Sequence, residues 1–169
     1  PLVAVGGHLK LTVALAWDRR VVVSPHIGDM GTLRSEQVFA QVVRDLQRLY
    51  DVGARHWLCD AHPGYTTTRW VQAQGQPYST VLHHHAHASG LVMEHGCMEP
   101  AIVFAWDGVG YGGDGSLWGG ETFVGRPGAW QRRASLRSFR LPGGDKAGRS
   151  PWRSAAALCW EAGVDCPVA

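Results

Sequence analysis

Twice along this chain an apolar, strand-like run is followed by a glycine turn, a second strand, another turn and a third strand. The first instance comprises residues 2–6 (LVAVG), 10–16 (KLTVALA) and 20–26 (RVVVSPH), with turns at Gly6-Gly7 and Asp18-Arg19. The second begins with residues 101–106 (AIVFAW), passes through a glycine-dense turn, and continues in strands at about 116–124 and 130–139. A three-stranded meander used twice in tandem restricts the chain to a layered α/β protein in which two similar halves face one another across a cleft.

The intervening segments fit that plan. Residues 32–50 carry Leu33, Val38, Phe39, Val42, Val43, Leu46 and Leu49 at helical spacing, with the acid Glu36 in the early turns. A short strand near 56–59, a helix over 65–73, a strand at 79–82 and a helix over 84–95 ended by Gly96 follow. Another helix opens at Pro151-Trp152-Arg153. The expected fold is the actin/sugar-kinase-like (ribonuclease H-like) two-lobed ATPase architecture. Its first lobe spans 1–100, divided from the second at Glu99-Pro100, and an incomplete second lobe spans 101–169.

Composition adds limits. A hydrophobic share of 45% with 18% charge is that of a folded soluble protein, and a net charge of +2 selects no class of partner. The charge is uneven, however: Arg126 to Arg153 holds seven arginines and Lys146 against the single acid Asp145. That stretch is either a solvated surface or a contact for phosphates or an acidic partner. Cys59, Cys97, Cys159 and Cys166 form no CxxC pair, so they read as packing residues of a reduced, cytoplasmic protein. No signal peptide or apolar span of membrane length is visible, and the chain has the look of a piece of something longer.

Five of the nine histidines fall within 83–95. His83 and His87 stand four apart, which on a helix stacks both rings on one face and lets them share a metal ion. At a strand-to-helix junction the positive helix end disfavours protonated rings and keeps them neutral. Asp107, ending the strand 101–106, would project from the other lobe into the same cleft as a third ligand; alternatively it caps the turn before Gly108. A His–His–carboxylate set suits zinc or ferrous iron. His84 and His85 point elsewhere, to hydrogen-bond substrate or simply to pack.

The loop from Asp107 to Glu121 has seven glycines between 108 and 120 and matches neither a P-loop nor a dinucleotide fingerprint. It reads either as a hairpin whose amides wrap phosphates, with Gly108, Gly110, Gly112, Gly119 and Gly120 as nucleotide-binding positions, or as plain tight turns. Lys10 occupies the equivalent hairpin of the first half and is within reach of a phosphate there. Leu141-Pro-Gly-Gly-Asp145, with Gly144 and Asp145, supplies a third turn facing the cleft.

The strings GGHLK (6–10), SPHIGD (24–29), DAHPGYTTTR (60–69), HHHAH (83–87), DGVGYGGDGSLWGGE (107–121) and LPGGD…PWR (141–153) closely resemble the hydrogenase-maturation carbamoyltransferase family HypF, in the family's order and over essentially the whole chain. The family usually has GGELKNT where this chain has GGHLKLT, so His8 and Leu11 depart from it. The resemblance implies a transfer domain related to the tRNA threonylcarbamoyl-transferase fold, with His83, His87 and Asp107 as metal ligands. It also implies that ATP and carbamoyl phosphate are converted to carbamoyl adenylate in a separate YrdC-like domain. The carbamoyl group then passes to the C-terminal cysteine thiol of a HypE-like partner, for cyanide-ligand synthesis in [NiFe] hydrogenase. On this reading the chain is part of an ATP-dependent carbamoyltransferase, inactive as a fragment, with neither membrane nor nucleic acid among its expected partners. The alternatives are a small-molecule O-carbamoyltransferase, a tRNA-modifying relative, and a non-catalytic metal-binding scaffold.

Overall fold

The computed structural model describes residues 1–97 and 99–166, with the side chain of Asp145 left out of the description. Ten strands and five helices are arranged as a larger mixed sheet, a smaller antiparallel sheet and a two-stranded ribbon among the described residues.

The first half contributes β1 (Leu2–Val5), β2 (Val13–Trp17) and β3 (Arg20–Val23), then α1 (Leu33–Leu49), β4 (His56–Asp60), α2 (Thr66–Ala73), β5 (Tyr78–Val81) and α3 (His83–Glu94). The sheet order is β3-β2-β1-β4-β5, antiparallel on the β3-β2-β1 side and parallel from β1 through β4 to β5. Helix α1 forms where the apolar spacing predicts it. A capping box between Thr32 and Ser35 satisfies its first amides, and Phe39, Val43 and Leu46 lie on its buried face. They close a core with Val3, Val5, Val13, Leu15 and Trp57.

The second half contributes β6 (Ala101–Ala105), the ribbon β7 (Gly110–Tyr111) and β8 (Leu117–Trp118), then β9 (Glu121–Gly125), β10 (Gln131–Ser135), α4 (Asp145–Arg149) and α5 (Trp152–Ala162). Its sheet has the order β10-β9-β6, all antiparallel. The second core joins Val103, Ala105, Trp118, Phe123 and Trp130 to Ala88 and Val92 of α3. Apolar packing therefore crosses residue 100, and α3, encoded with the first half, is seated on the second sheet.

Several element bounds differ from the sequence expectation. The strand expected from residue 10 starts only at Val13: Lys10 adopts a positive φ of 51°, and Leu11 instead bridges to Gly28. The strand expected to reach residue 26 stops at Val23, where Ser24 turns its hydroxyl to the Val13 amide. The strand expected over 116–124 is broken at Gly119-Gly120 into β8 and β9. Helix α3 begins one residue early, so His83 is its first residue. Helix α4, after the LPGG turn, was not anticipated.

Candidate functional site

Helix α3 starts directly after Leu82, at the end of β5, with no side-chain cap. Its buried face is the stripe His84, Ala88 and Val92. That orientation turns His83 and His87 away from the second core, and their rings sit 4.7 Å apart at 87°. The i, i+4 spacing thus brings them together as expected.

Asp107, just past the end of β6, meets them from the second sheet. His83 Nε2 lies 2.7 Å from Asp107 Oδ2, His87 Nε2 lies 3.6 Å from the same oxygen, and the two Nε2 atoms are 3.2 Å apart. The three donor atoms all fall within 4.8 Å of one another. Two ligands at about 2.0–2.1 Å from a tetrahedral ion would be about 3.3 Å apart, so a small outward adjustment of the 2.7 Å pair is enough to admit one. The donor set of two imidazoles and a carboxylate suits a divalent ion of the zinc or ferrous type and leaves coordination positions open. Asp107 also fulfils the turn-capping alternative, since its Oδ1 accepts the Gly108 amide proton at 2.9 Å while Oδ2 faces the histidines.

A fourth side chain, Asp60, has no counterpart in the sequence reading of the site. It ends β4 and is buried, and its Oδ2 lies 3.4 Å from His83 Nδ1. The available signal was the one that singled out Asp107: an acid at the C-terminal end of a strand. Asp60 and Asp107 together hold the His83 pKa above the ordinary imidazole value, against the opposing effect of burial. At His83 the two carboxylates from other elements thus act against the helix terminus, which by itself favours the neutral ring. Around the same carboxylates lies an aromatic rim. The rings of His62 and Tyr65 stack at 4.2 Å, and His8 also stacks with Tyr65 at 5.9 Å. Burial, then Asp60 and Asp107, push the Tyr65 hydroxyl upward in pKa.

His84 and His85 do not join the cluster. His84 is fully buried beside Trp118, His85 packs edge-on to Phe123 at 4.8 Å, and burial lowers the pKa of both. The glycines of the loop are placed largely by packing. A Cβ on Gly110 would lie 2.6 Å from the His84 ring, and one on Gly119 would lie 2.4 Å from the Gly108 carbonyl oxygen. Gly112 sits under the Trp118 indole and Gly120 beside Leu136, whereas Gly108 and Gly144 face open space. Buried Glu121 fixes the end of the loop, accepting from the Gly119 amide at 3.0 Å and from Arg132 Nε at 2.5 Å. Arg132 also reaches Asp114, so this member of the arginine-rich stretch is committed to internal partners. Lys10 is exposed, and its amide donates to Asp29 Oδ1 at 2.9 Å. Gly144 precedes α4 with a positive φ of 55°; the Asp145 side chain lies outside the described residues. The four cysteines form no disulfide, and burial raises the pKa of Cys59.

A cleft of about 1160 Å³ runs from Gly7, Asp60, His83 and His87 along α3 to Glu94 and Trp130. No helix among the described residues is long and apolar enough to cross a membrane.

The family model for the HypF Kae1-like domain matches residues 1–94, and that for the second subdomain of the carbamoyltransferase Kae1-like domain matches residues 103–168. The carbamoyltransferase HypF of Synechocystis sp. is 41% identical over 160 residues, covering 94% of this chain and 21% of its own length. That of Rhizobium leguminosarum bv. viciae is 35% identical over 162 residues, covering 96% and 21%. The chain therefore spans about a fifth of the length of these relatives. Full-length HypF in a phosphate- and nucleotide-bound form superposes with a TM-score of 0.89 at 31% identity, over 95% of this chain and 21% of that one. YeaZ from Pseudomonas aeruginosa shares the fold at a TM-score of 0.50 and 18% identity, over 79% of this chain and 64% of its own. An α/β domain of mixed sheets, matched by both subdomain models along nearly its full length, this chain belongs to the HypF carbamoyltransferase family.

Proposed function

We propose that this chain is the carbamoyl-transfer part of a HypF-like protein. It holds a divalent metal, zinc or ferrous iron, at His83, His87 and Asp107, and receives carbamoyl adenylate in the cleft between two lobes of an actin-like ATPase arrangement. It passes the carbamoyl group to the C-terminal cysteine thiol of a HypE-like acceptor. The observation that carries this reading is the convergence of two imidazole nitrogens from α3, both of whose histidines line the cleft, with a carboxylate from the end of β6.

In the transfer, the acceptor thiolate sulfur forms a bond to the carbamoyl carbon, and the bond from that carbon to the phosphate oxygen breaks, releasing AMP. A bound divalent ion supplies Lewis-acid polarisation of the carbonyl or phosphate oxygen. The chain itself supplies placement. The cleft wall orients the adenylate, and Gly108, whose missing side chain leaves open space, gives a phosphate room to approach. The full-length relative was solved in a phosphate- and nucleotide-bound form, which fits a nucleotide site on a protein of this family. Lys10, Gly144 and Asp145 are its further proposed contacts. No cysteine of this chain is needed as nucleophile, because the acceptor brings its own thiol. Activation of carbamoyl phosphate with ATP belongs to a YrdC-like domain outside this chain.

Asp107→Asn in the intact protein tests the reading. The amide keeps an oxygen for the Gly108 N–H but is a much poorer ligand for a divalent ion. The variant is expected to fold, to lose metal, and to stop carbamoylating the HypE thiol while still forming carbamoyl adenylate. Normal transfer by a metal-replete variant would sink the assignment.

A further inference from the structure

Asp60 and Asp107 have the same local arrangement on different sheets. Each follows or ends a strand, and each uses Oδ1 to hold the turn that comes next: Asp60 accepts from the His62 amide at 2.7 Å, Asp107 from the Gly108 amide at 2.9 Å. Each then turns Oδ2 toward His83, but to opposite ring nitrogens, Asp60 to Nδ1 and Asp107 to Nε2. Their surroundings differ. The Asp107 side chain is 39% exposed, whereas that of Asp60 is 6% exposed. Asp60 does not converge with the donor atoms of His83, His87 and Asp107.

We propose that Asp60 is the positioning residue of this centre, holding His83 through Nδ1–H so that Nε2 is the nitrogen presented to a divalent cation. The inference rests on the metal reading of His83, His87 and Asp107. Three features build it. First, the parallel register pairs Asp60 with Val81, and the chain passes from Val81 through Leu82 straight into His83, so sheet pairing delivers carboxylate and ring to the same edge. Second, the acid is fixed by contacts other than the ring. Its backbone carbonyl accepts the Thr68 hydroxyl at 2.9 Å, and its Oδ1 is occupied by the His62 amide, leaving only Oδ2 for His83. Third, Gly7 backs the pair: a Cβ there would stand 3.9 Å from Asp60 Oδ2 and 4.0 Å from His83 Nδ1, closing that side of the ring. A buried carboxylate without a partner is costly, and the partner it has is the far nitrogen of a candidate ligand. A carboxylate on the non-ligating nitrogen fixes the tautomer, orients the ring and strengthens the ligand.

The test uses the intact protein and zinc. Asp60→Asn keeps an oxygen for the His62 amide but turns an NH₂ group toward Nδ1. Zinc affinity, measured by competition with a chromophoric chelator, is expected to fall about 10- to 100-fold. Wild-type affinity in the folded variant would overturn the proposal. Independently of any variant, ¹⁵N NMR of the zinc-loaded wild type is expected to show His83 bound through Nε2 with its proton on Nδ1. Coordination through Nδ1 would overturn the proposal even if Asp60→Asn failed to fold. His83→Ala separates the two levels. If it binds zinc like the wild type, the metal reading itself falls and this inference with it; if it loses zinc while Asp60→Asn does not, only the role of Asp60 falls.

Discussion

Replacing Gly110 by alanine adds a single methyl group at a crowded point against the first turn of α3. The new Cβ would lie 2.6 Å from both Cε1 and Nδ1 of His84 and 3.1 Å from the Cβ of His83. The first two contacts are about 1 Å inside the optimum for non-bonded heavy atoms, well up the repulsive wall. His84 has no room to retreat, being fully buried with Trp118 beside it. The methyl must therefore displace either the β7–β8 ribbon or the first turn of α3. Overpacking of this kind costs about 1–3 kcal/mol, which in a domain of this size lowers the thermal midpoint by about 2–4 °C per kcal/mol. Gly108→Ala is the internal control: it lies in the same loop with nothing within 4 Å of its added Cβ, so its effect should stay within about 0.5 kcal/mol. Thermal unfolding followed by circular dichroism compares the two. If they unfold at the same temperature, the loop is not packed against α3 as described.

Three further outcomes follow from the same geometry. In metal-free protein the His83 pKa is raised, so its contribution to stability is fully present below the unfolded value of about 6.5 and is lost as pH rises through the higher folded value. The difference in stability between wild type and His83→Gln should therefore shrink with rising pH, and a difference that grows would refute the Asp60 and Asp107 pairing. Glu121→Ala strands the Gly119 amide and Arg132, at an expected cost of about 2–3 kcal/mol in denaturant unfolding. That is below the usual figure for breaking a buried pair because the Arg132 side chain is one-third exposed. Glu121→Gln should cost less, and equal losses would show that the acceptor for Gly119 is irrelevant. Phe39→Ala removes a fully buried ring that meets Trp70 edge-on at 5.0 Å, and should cost about 3–5 kcal/mol while leaving zinc affinity unchanged.

What could be read from the residues alone was local in origin. Helix α1 is visible because Phe39, Val43 and Leu46 repeat at helical spacing, and the His83–His87 pair because one helical turn fixes its geometry. Asp107 was legible from its place after an apolar strand. Asp60 has an equally good strand end, but its partner is set by the β4–β5 register, which no local pattern encodes. The same gap explains His83. A helix terminus argues for a neutral ring, yet both carboxylates that oppose it arrive from distant segments. The broken strand at Gly119-Gly120 was missed for a related reason, since Glu121 turns back to hold the Gly119 amide and ends the continuous run. The loop glycines drew attention as phosphate-binding backbone, whereas Gly110 and Gly119 are already required by close contacts within the chain.

Because α3 lies on the second core while its first residue reaches Asp60 on the first sheet, the donor set has consequences for the order of folding. Asp60 and Asp107 are separated along the chain by α2, β5, α3 and β6, and meet around one imidazole only when both sheets are in place. Closing such a contact means ordering a long intervening segment first, so it forms late, after the barrier that is crossed by the more local β1–β2–β3 meander and α1. Substitutions at Asp107 should accordingly leave the refolding rate nearly unchanged and accelerate unfolding, the behaviour of a low-φ position. A cation captured there would slow unfolding, so that a folded chain would remain folded longer without having folded any faster.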